Sequence, residues 1–501
     1  MDTDEIIANG IKGSTAKGRG LYSPIPTIIL AMTISLLVAC GGGSGPPTSE
    51  SVVARGVITQ TGSIWVNGVK YETPDGGSYS DDDSTSTTAS YQVGQVVSLR
   101  GTRNSDGISG TATEVEYEAE IEGAALGGAI NGVTILITSS TNVTLATLTG
   151  GALTDGSRYE VSGFWVNDST IEATFIKDDD DSDGVDEVKG FVEAVPSSIS
   201  LTVHGVIYTY SGIPVVSVGD FVEIHFDPNT LIASLVELED DFFDNQRDGQ
   251  EVEIEGVVNL DTTGCPTGAD FKIDLTCIDW DFVDSWEDGL ESSADMVSGL
   301  RVEAEGHFNA AGLLIAKEIK GRGNRVRISA IASNVDGTGG PGTLDVFGGA
   351  IQVTTESGLT EIEDPISDGG GFEIRGIRTG ETSMLALRIK SESVGTNDHE
   401  LRAEVDLNGV DSSSPNIVTV MGISSIVNPN SQLEDEDMII APGGGTAEAL
   451  IDIFLDSIDD DDNVTNGPRD EVEVRIDISV GDGSLGSPYA AVQVEIERED
   501  D

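Results

Sequence analysis

The stretch Ser63-Ile64-Trp65-Val66-Asn67-Gly68-Val69-Lys70-Tyr71 alternates apolar and polar side chains on both sides of an Asn-Gly pair. Alternation with a period of two is typical of a strand that buries one face. Asn-Gly is the strongest short signal for a hairpin, because both central turn positions require positive φ. The stretch therefore predicts two short antiparallel strands joined by a tight turn.

A similar unit recurs along the chain. Glycine followed by two apolar residues occurs at Gly56-Val57-Ile58, Gly123-Ala124-Ala125, Gly190-Phe191-Val192 and Gly256-Val257-Val258, at spacings of 67, 67 and 66 residues. Weaker counterparts follow near Ala330 and Val405. Later in each unit a strand-like segment ends in or near glycine and is followed by a turn and a second strand-like segment. A fixed period of this kind indicates tandem repeats.

These repeats resemble the bacterial family known as domain of unknown function family 5666, whose members are often lipoproteins with several tandem copies. The resemblance covers most of residues 53–395. It is best in the first unit, in Gly56-Val57-Ile58, in Gly62-Ser63-Ile64-Trp65-Val66-Asn67-Gly68-Val69 and in Val93-Gly94-Gln95-Val96-Val97. It implies a small β-fold and supplies no activity.

The repeats predict an all-β protein. Each contains about five short strands in roughly 65 residues, which is near the lower limit for an independent core. A closed barrel hides most sheet edges at that size, so the prediction is a series of small OB-like barrels. Small β-sandwich repeats would have the same strand pattern and remain the alternative.

Composition and turn signals divide the chain into segments. They are a signal peptide (1–39), a flexible tether (40–52), β-repeats at 53–120, 121–177, 189–245, 251–322 and 325–395, an acidic linker (178–188) and a divergent C-terminal β-domain (399–501). Within the last of these, residues 446–458 suggest a short helix.

The N-terminus predicts export and lipid anchoring. An apolar stretch at 25–39 follows Lys12, Lys17 and Arg19, which is the layout of a signal peptide, and it is short for a membrane span. Leu37-Val38-Ala39-Cys40 resembles the lipobox of bacterial lipoproteins, which implies a diacylglyceryl thioether on Cys40 and cleavage before it. Gly41 after the cysteine favours the outer membrane by the same resemblance. The alternative is a signal-anchor helix in which the cysteine is incidental.

The chain is strongly acidic. It has 88 Asp and Glu against 26 Lys and Arg, for a formal charge of −62, and the segment before Cys40 is neutral overall. Nucleic-acid binding requires a basic surface, so we exclude it as a function. Solubility of an exported protein is a sufficient explanation of the charge.

Cys265 and Cys277 are the pair that remains after Cys40 is lipidated, and an exported protein meets an oxidising environment. We predict that they form a disulfide. The geometry leaves a question open, because a single extended strand over 271–275 would span roughly 17 Å. A disulfide holds its Cα atoms at about 5.5–6 Å, so the chain has to curl back.

One acidic run suggests a cation site at the junction of the second and third repeats. Asp179, Asp181 and Asp183 occupy alternate positions before Gly184, which resembles the start of a calcium loop, and Asp186 and Glu187 could close it. The twelfth position, where a helix-loop-helix site needs a bidentate glutamate, is Gly190. An acidic linker that binds no ion is the alternative. Apart from calcium here, no cofactor is predicted.

The sequence shows no catalytic constellation. The four histidines are far apart, and the glycine-rich segments 337–342 and 481–486 are followed by strand-like sequence, which predicts turns. The functional prediction is a lipid-anchored outer-membrane protein that binds or scaffolds an envelope component or a glycan. A passive spacer is the alternative, and a glycan-active hydrolase is a third, weaker one. Exposure of the four tryptophans, which are common sugar platforms, distinguishes the glycan version.

Overall fold

The computed structural model describes residues 50–60, 62–81, 84–86, 90–179, 184–211, 215–238, 249–336, 342–395, 399–412, 416–435, 451, 455, 458, 471–477 and 489–497. Nearly all the elements in these residues are β-strands. They form six closed barrels of the same topology, numbered 1 to 6 along the chain.

Barrel 1 shows the shared topology. Its strands are β1 (Glu50–Val57), β2 (Ile64–Val66), β3 (Val69–Glu72), β4 (Ser78–Asp81), β5 (Ser84–Ser86), β6 (Val96–Arg103) and β7 (Ser109–Tyr117). Asn67 and Gly68, with φ of 53° and 73°, make the predicted turn between β2 and β3. The ring runs β1-β2-β3-β7-β6 and back to β1, and only the β3–β7 contact is parallel. Numbered by position in the ring, this is the 1-2-3-5-4-1 order of an OB-type Greek-key barrel.

Barrels 2 and 3 repeat this order. Barrel 2 consists of β8 (Ile121–Leu126), β9 (Ala129–Ile130), β10 (Val133–Leu145), β11 (Arg158–Asn167) and β12 (Thr170–Asp178). Barrel 3 consists of β13 (Asp186–Phe191), β14 (Ala194–Ser197), β15 (Ser200–Val203), β16 (Val206–Thr209), β17 (Phe221–Asp227) and β18 (Ile232–Leu238). The first strand of barrel 3 is broken into β13 and β14, which pair with β17 and β15 respectively and so close the ring.

Barrels 4 and 5 follow. Barrel 4 consists of β19 (Glu251–Asn259), β20 (Phe271–Ile273), β21 (Thr276–Asp279), β22 (Ser285–Glu287), a 3-10 turn (Ser293–Asp295), β23 (Arg301–Phe308) and β24 (Leu314–Gly321). Barrel 5 consists of β25 (Arg325–Ile331), β26 (Ser333–Asp336), β27 (Thr343–Val346), a 3-10 turn (Phe347–Gly349), β28 (Ile351–Thr355), β29 (Glu361–Ile362), β30 (Gly371–Gly380) and β31 (Ser383–Ser391).

The C-terminal segment forms barrel 6, with the same ring order as the others. Its strands are β32 (His399–Asp411), β33 (Ile417–Val420), β34 (Ile423–Ile426), β35 (Gln432–Asp435), β36 (Glu471–Asp477) and β37 (Tyr489–Glu497). Ile451 and Leu455, within the predicted helix, are helical and buried in the core. The segment therefore diverges in sequence and keeps the topology.

The glycine that ends the later strand-like segment of the repeats has a structural cause. In barrels 1, 2, 4 and 5 the fourth ring strand in chain order has a β-bulge at this glycine, which is Gly101, Gly163, Gly306 and Gly376 respectively. A Cβ there would lie 2.0–2.2 Å from a carbonyl oxygen of the neighbouring strand. Only glycine permits that approach, so the pattern marks the point where the strand bends to close the barrel.

The barrels pair through their first strands. β1 of barrel 1 lies parallel to β19 of barrel 4, β8 of barrel 2 lies antiparallel to β13 of barrel 3, and β25 lies antiparallel to β32 of barrel 6. Barrels 2 and 3 share one hydrophobic core, and barrels 5 and 6 share another. Barrels 1 and 4 are distant in sequence, so contacts are not limited to barrels that are neighbours along the chain.

The OB-like prediction is confirmed, and the sandwich alternative is excluded for the described barrels. Two predicted segments need correction. In the tether at 40–52, residues 50–52 belong to β1, and in the acidic linker at 178–188, Asp178 belongs to β12 and residues 186–188 belong to β13. Burial explains the second error, because Asp186 and Glu187 are strand residues that pack against neighbouring elements.

Candidate functional site: charged junctions between barrels

The outer faces of the first strands carry charged side chains. In β19, Glu251, Glu253 and Glu255 alternate with the buried core residues Val252 and Ile254. Because successive side chains of a strand point to opposite faces, the three glutamates face outward from barrel 4. The neighbouring barrels cover them, so these acids lie in a junction and not at the protein surface.

Two arginines of barrel 1 pair with acids of barrel 4, namely Arg55 with Asp274 and Arg103 with three glutamates. The guanidinium of Arg103 pairs with Glu251 at 3.5 Å, with Glu305 at 2.8 Å and with Glu253. Burial raises the pKa of Glu253 well above its usual range, although Arg103 acts in the opposite direction. Burial likewise raises the pKa of Tyr71, whose ring lies in the core of barrel 1. Glu251, Glu253 and Glu305 thus form a carboxylate cluster with Arg103 at its centre, and Glu253 is its buried member.

A second cluster joins barrel 2 to barrel 4. Arg301 of barrel 4 bonds Glu172 of barrel 2 at 3.2 Å and Glu255 of its own barrel at 2.8 Å. The side-chain amide of Asn324 donates to Thr138 and Glu172 of barrel 2. Among the described residues, six arginines pair with acids outside their own barrel, namely Arg55, Arg103, Arg158, Arg301, Arg375 and Arg378. The scarce basic residues are therefore concentrated where barrels meet.

Barrels 2 and 3 meet through an aromatic stack and a lysine. Trp165 stacks on His204 with ring centroids 3.7 Å apart, and its indole N–H donates to Glu120 at 3.0 Å. Lys189 of β13 is buried and pairs with Glu118 and, at 3.1 Å, with Glu223. Burial lowers the pKa of His204, so that its imidazole stays neutral in the stack.

Glu187, Glu223 and His225 converge beside this junction. Nε2 of His225 lies 2.5 Å from Oε1 of Glu223 and 3.6 Å from Oε2 of Glu187. Burial would raise the pKa of Glu223, but the hydrogen bond from His225 and the charge of Lys189 outweigh it and lower this pKa to about 2. The sequence predicted no site here, because no second histidine lies near His225 in the chain. The signal that was available is the pair Glu223 and His225, which are two residues apart on one strand and share a face.

Of the five predicted calcium residues, the structure describes Asp179, Asp186 and Glu187. Asp181 and Asp183 lie outside the described residues. Asp179 and Asp186 both pair with the guanidinium of Arg158, which already supplies a cation. Glu187 is adjacent to Asp186 in β13 and therefore points to the opposite face, toward His225. Calcium binding at this loop stays a prediction, and Glu187 lies in a different cluster.

Cys265 and Cys277 form a disulfide with their Cα atoms 5.8 Å apart. The chain curls back because β20 and β21 form a hairpin that turns at Asp274, whose φ is positive at 49°. The extended strand considered over 271–275 therefore ends at Ile273. Asp270, Asp279 and Asp281 also converge near this hairpin, with Asp270 accepting a hydrogen bond from the backbone of Trp280.

The tryptophans form no exposed platform. Trp65, Trp165, Trp280 and Trp286 are each half-buried. Trp280 and Trp286 pack against the core of barrel 4, and Trp165 packs against the core of barrels 2 and 3. Because none of the four indoles is fully buried, glycan binding stays an alternative prediction.

The anchor residue Cys40 lies outside the described residues. None of the helical residues that the structure describes belongs to a helix long and apolar enough to cross a membrane.

The fold and its junctions define a class of protein, a tandem array of OB-type barrels paired through charged first strands. Three regions, at residues 55–116, 127–177 and 285–320, match the family model "Domain of unknown function (DUF5666)". The chain thus carries tandem repeats that resemble this family.

Similarity to proteins of known structure is remote. A solved chain titled "drosophila Unr CSD456" aligns with 41% of this chain and 97% of its own length, at 13% identity and a TM-score of 0.11. A likeness that weak bears on neither fold nor function. No curated protein matches the sequence.

Proposed function

We propose that this protein is a lipid-anchored scaffold of the bacterial envelope, and that barrel 3 is its binding surface. The observation that carries the proposal is the distribution of exposed apolar side chains. Of the 15 large exposed hydrophobic residues in the described part of the chain, eight lie in barrel 3, namely Phe191, Ile199, Ile207, Val215, Val218, Ile232, Leu235 and Leu238. Such clustering on one domain is characteristic of an interaction site.

Three of these residues share the outer face of neighbouring strands. Ile207 on β16 points away from the barrel core, since Tyr208 beside it is buried. Ile232 and Leu235 lie on β18, which pairs with β16 at Thr209 and Ile232. We call Ile207, Ile232 and Leu235 the barrel-3 face. Because the barrel is closed, the partner docks on side chains and does not extend a sheet edge.

The charges around the barrel-3 face favour a basic partner. Exposed Glu193, Asp227 and Glu237 lie in the same barrel, and Asp227 is directly opposite Ile232. The one lysine of barrel 3 is the buried Lys189. A second copy of this chain or an anionic membrane would be repelled by a net charge of −62. We therefore expect a protein whose apolar contact is ringed by lysine and arginine.

The pairing of barrel 1 with barrel 4 favours a scaffold over a passive spacer. A spacer needs contacts only between neighbours in the chain, whereas β1 and β19 are joined across almost 200 residues, as the pair Val52 and Glu251 shows. Several packed barrels hold a binding face in a fixed orientation, which a flexible series of domains does not.

The anchor is tested at Cys40. If the cysteine carries lipid, Cys40→Ala should leave the protein out of the membrane fraction or unprocessed, and the wild-type mass should exceed that of the peptide by its acyl groups. A wild-type protein without added mass would remove the anchor from the proposal.

The binding surface is tested by Ile207→Ser, Ile232→Ser and Leu235→Ser combined in the soluble mature chain. The triple variant should lose a basic partner that the wild type retains from detergent-solubilised envelope, and binding by the purified partner should weaken with salt. Leu126→Ser is the matched control, because Leu126 is 75% exposed but belongs to barrel 2. Equal capture by wild type and triple variant, or capture of nothing by either, would contradict the proposal and favour the spacer.

A further inference from the structure

Strand register brings an imidazole and two carboxylates to one face of barrel 3. Glu187 on β13 is directly opposite His225 on β17, and Glu223 is directly opposite Lys189. Side chains of such cross-strand pairs have Cβ atoms about 5 Å apart. Glu223 and His225, two residues apart, point to the same face. The arrangement is fixed by the sheet and not by a loop.

The donor atoms are close enough to share one small cation. One ligand atom from each of Glu187, Glu223 and His225 lies within 4.8 Å of the other two. Zinc holds nitrogen and oxygen ligands at about 2.0–2.2 Å, which places tetrahedral ligand atoms about 3.4 Å apart. The 3.6 Å between His225 Nε2 and Glu187 Oε2 meets that requirement. The shorter His225–Glu223 hydrogen bond has to lengthen by roughly 1 Å.

Lys189 orients one ligand without filling the site. It contacts Oε2 of Glu223, and the other oxygen, Oε1, faces His225. It also pairs with Glu118, so one lysine charge is divided between two carboxylates. Second partners of this kind commonly fix the orientation of metal-binding carboxylates.

We propose that Glu187, Glu223 and His225 bind a zinc-like divalent metal ion, with a water molecule as the fourth ligand. A mixed set of one imidazole and two carboxylates suits zinc, whereas calcium requires six to eight oxygens. The side chain of His225 is 16% exposed and those of Glu187 and Glu223 are 4% and 11% exposed. An ion can therefore reach the imidazole from solvent and be held by buried carboxylates.

The test is a zinc titration of the metal-stripped mature chain against a chromophoric chelator. Excess magnesium is present to occupy the many surface carboxylates. One zinc per chain should bind, and cobalt in its place should give the visible absorption bands of a tetrahedral site. His225→Gln keeps a hydrogen-bond donor for Glu223 and removes the nitrogen ligand, so it should weaken binding at least about tenfold.

His307→Ala is the control, since His307 is a half-buried imidazole on β23 of barrel 4, outside the cluster. It should bind zinc as the wild type does. The thermal transition of each variant, measured without metal, distinguishes ligand loss from unfolding, and Glu187→Gln provides a second variant. Unchanged zinc affinity in folded His225→Gln, or no zinc-binding site in the wild type, would overturn the proposal. Because the docking variants do not alter these ligands, failure here is separable from failure of the binding surface.

Discussion

Single residues decide which barrels pair. Arg103 lies among Glu251, Glu253 and Glu305. The sequence could not assign these partners to Arg103, because Glu253 is 150 residues away and Glu305 is 202 residues away. A charge pattern reveals that a strand face is polar. It does not reveal which distant strand covers it.

We predict that Arg103→Met destabilises the protein by about 3–5 kcal/mol, because it leaves buried carboxylates without their cation. Glu253→Gln should cost less than about 1.5 kcal/mol, since burial already raises the pKa of Glu253 and favours its neutral form. Chemical denaturation measures both. Arg100→Ala is the control, because its pair with Glu114 is solvent-exposed and worth about 0–1 kcal/mol. A larger loss in Glu253→Gln than in Arg103→Met would contradict this assignment.

At the scale of elements, the sequence predicted the strands well. The Asn67-Gly68 turn and the repeated glycines are local signals, since each reflects a backbone conformation or close approach that only a few residues permit. The acidic run after Asp178 misled the prediction. The run was assigned to a linker at 178–188, whereas Arg158 and burial place Asp186 and Glu187 in a strand.

The disulfide closes the β20–β21 hairpin, which holds the second and third positions of the barrel 4 ring. We predict that Cys265→Ser with Cys277→Ser lowers the free energy of unfolding by about 3 kcal/mol, the chain-entropy value for a loop of this length. The measurement is denaturant unfolding of the double variant against wild type. Reduced wild type serves as the control and should match the double variant. If neither differs from the oxidised protein, the hairpin does not depend on the bond.

At the scale of the whole molecule, burial of acids makes stability depend on pH. Burial raises the pKa of junction carboxylates, namely Glu120, Asp186, Glu253, Asp288 and Glu303. A carboxyl whose folded pKa exceeds its unfolded value binds more protons when folded. Stability then falls as pH rises from the unfolded pKa through the folded pKa. The general repulsion of a −62 chain acts in the same direction.

We therefore predict that the melting temperature rises when pH is lowered from about 8 to about 5. It should fall again below about pH 4, because Glu223 and Glu373 have lowered pKa values and lose their ion pairs when protonated. Calorimetry over this range, at fixed ionic strength, measures both limbs. A melting temperature that declines steadily from pH 8 to pH 5 would be inconsistent with buried, protonatable junctions.

The fold class, the repeat and the barrel topology are properties of local sequence, and they could be predicted. The pairing of barrels is a property of the whole molecule, because it rests on long-range contacts such as Val52 with Glu251 and Arg301 with Glu172. The cluster of Glu187, Glu223 and His225 likewise could not be predicted from local sequence. Its members lie on strands whose alignment only the folded barrel fixes.

The central claim is that barrels distant in sequence are joined by paired first strands and by the ion pairs that flank them, such as those of Arg103. It is tested most directly by hydrogen exchange, followed by mass spectrometry, on Arg103→Met and wild type. The account predicts that protection falls in β1 and β6 and equally in β19 and β23 of barrel 4, which Arg103 contacts through Glu253 and Glu305. β36 and β37 of barrel 6, which Arg103 does not contact, should keep their protection. Loss confined to barrel 1, with β19 and β23 unchanged, would show independent units and contradict the account.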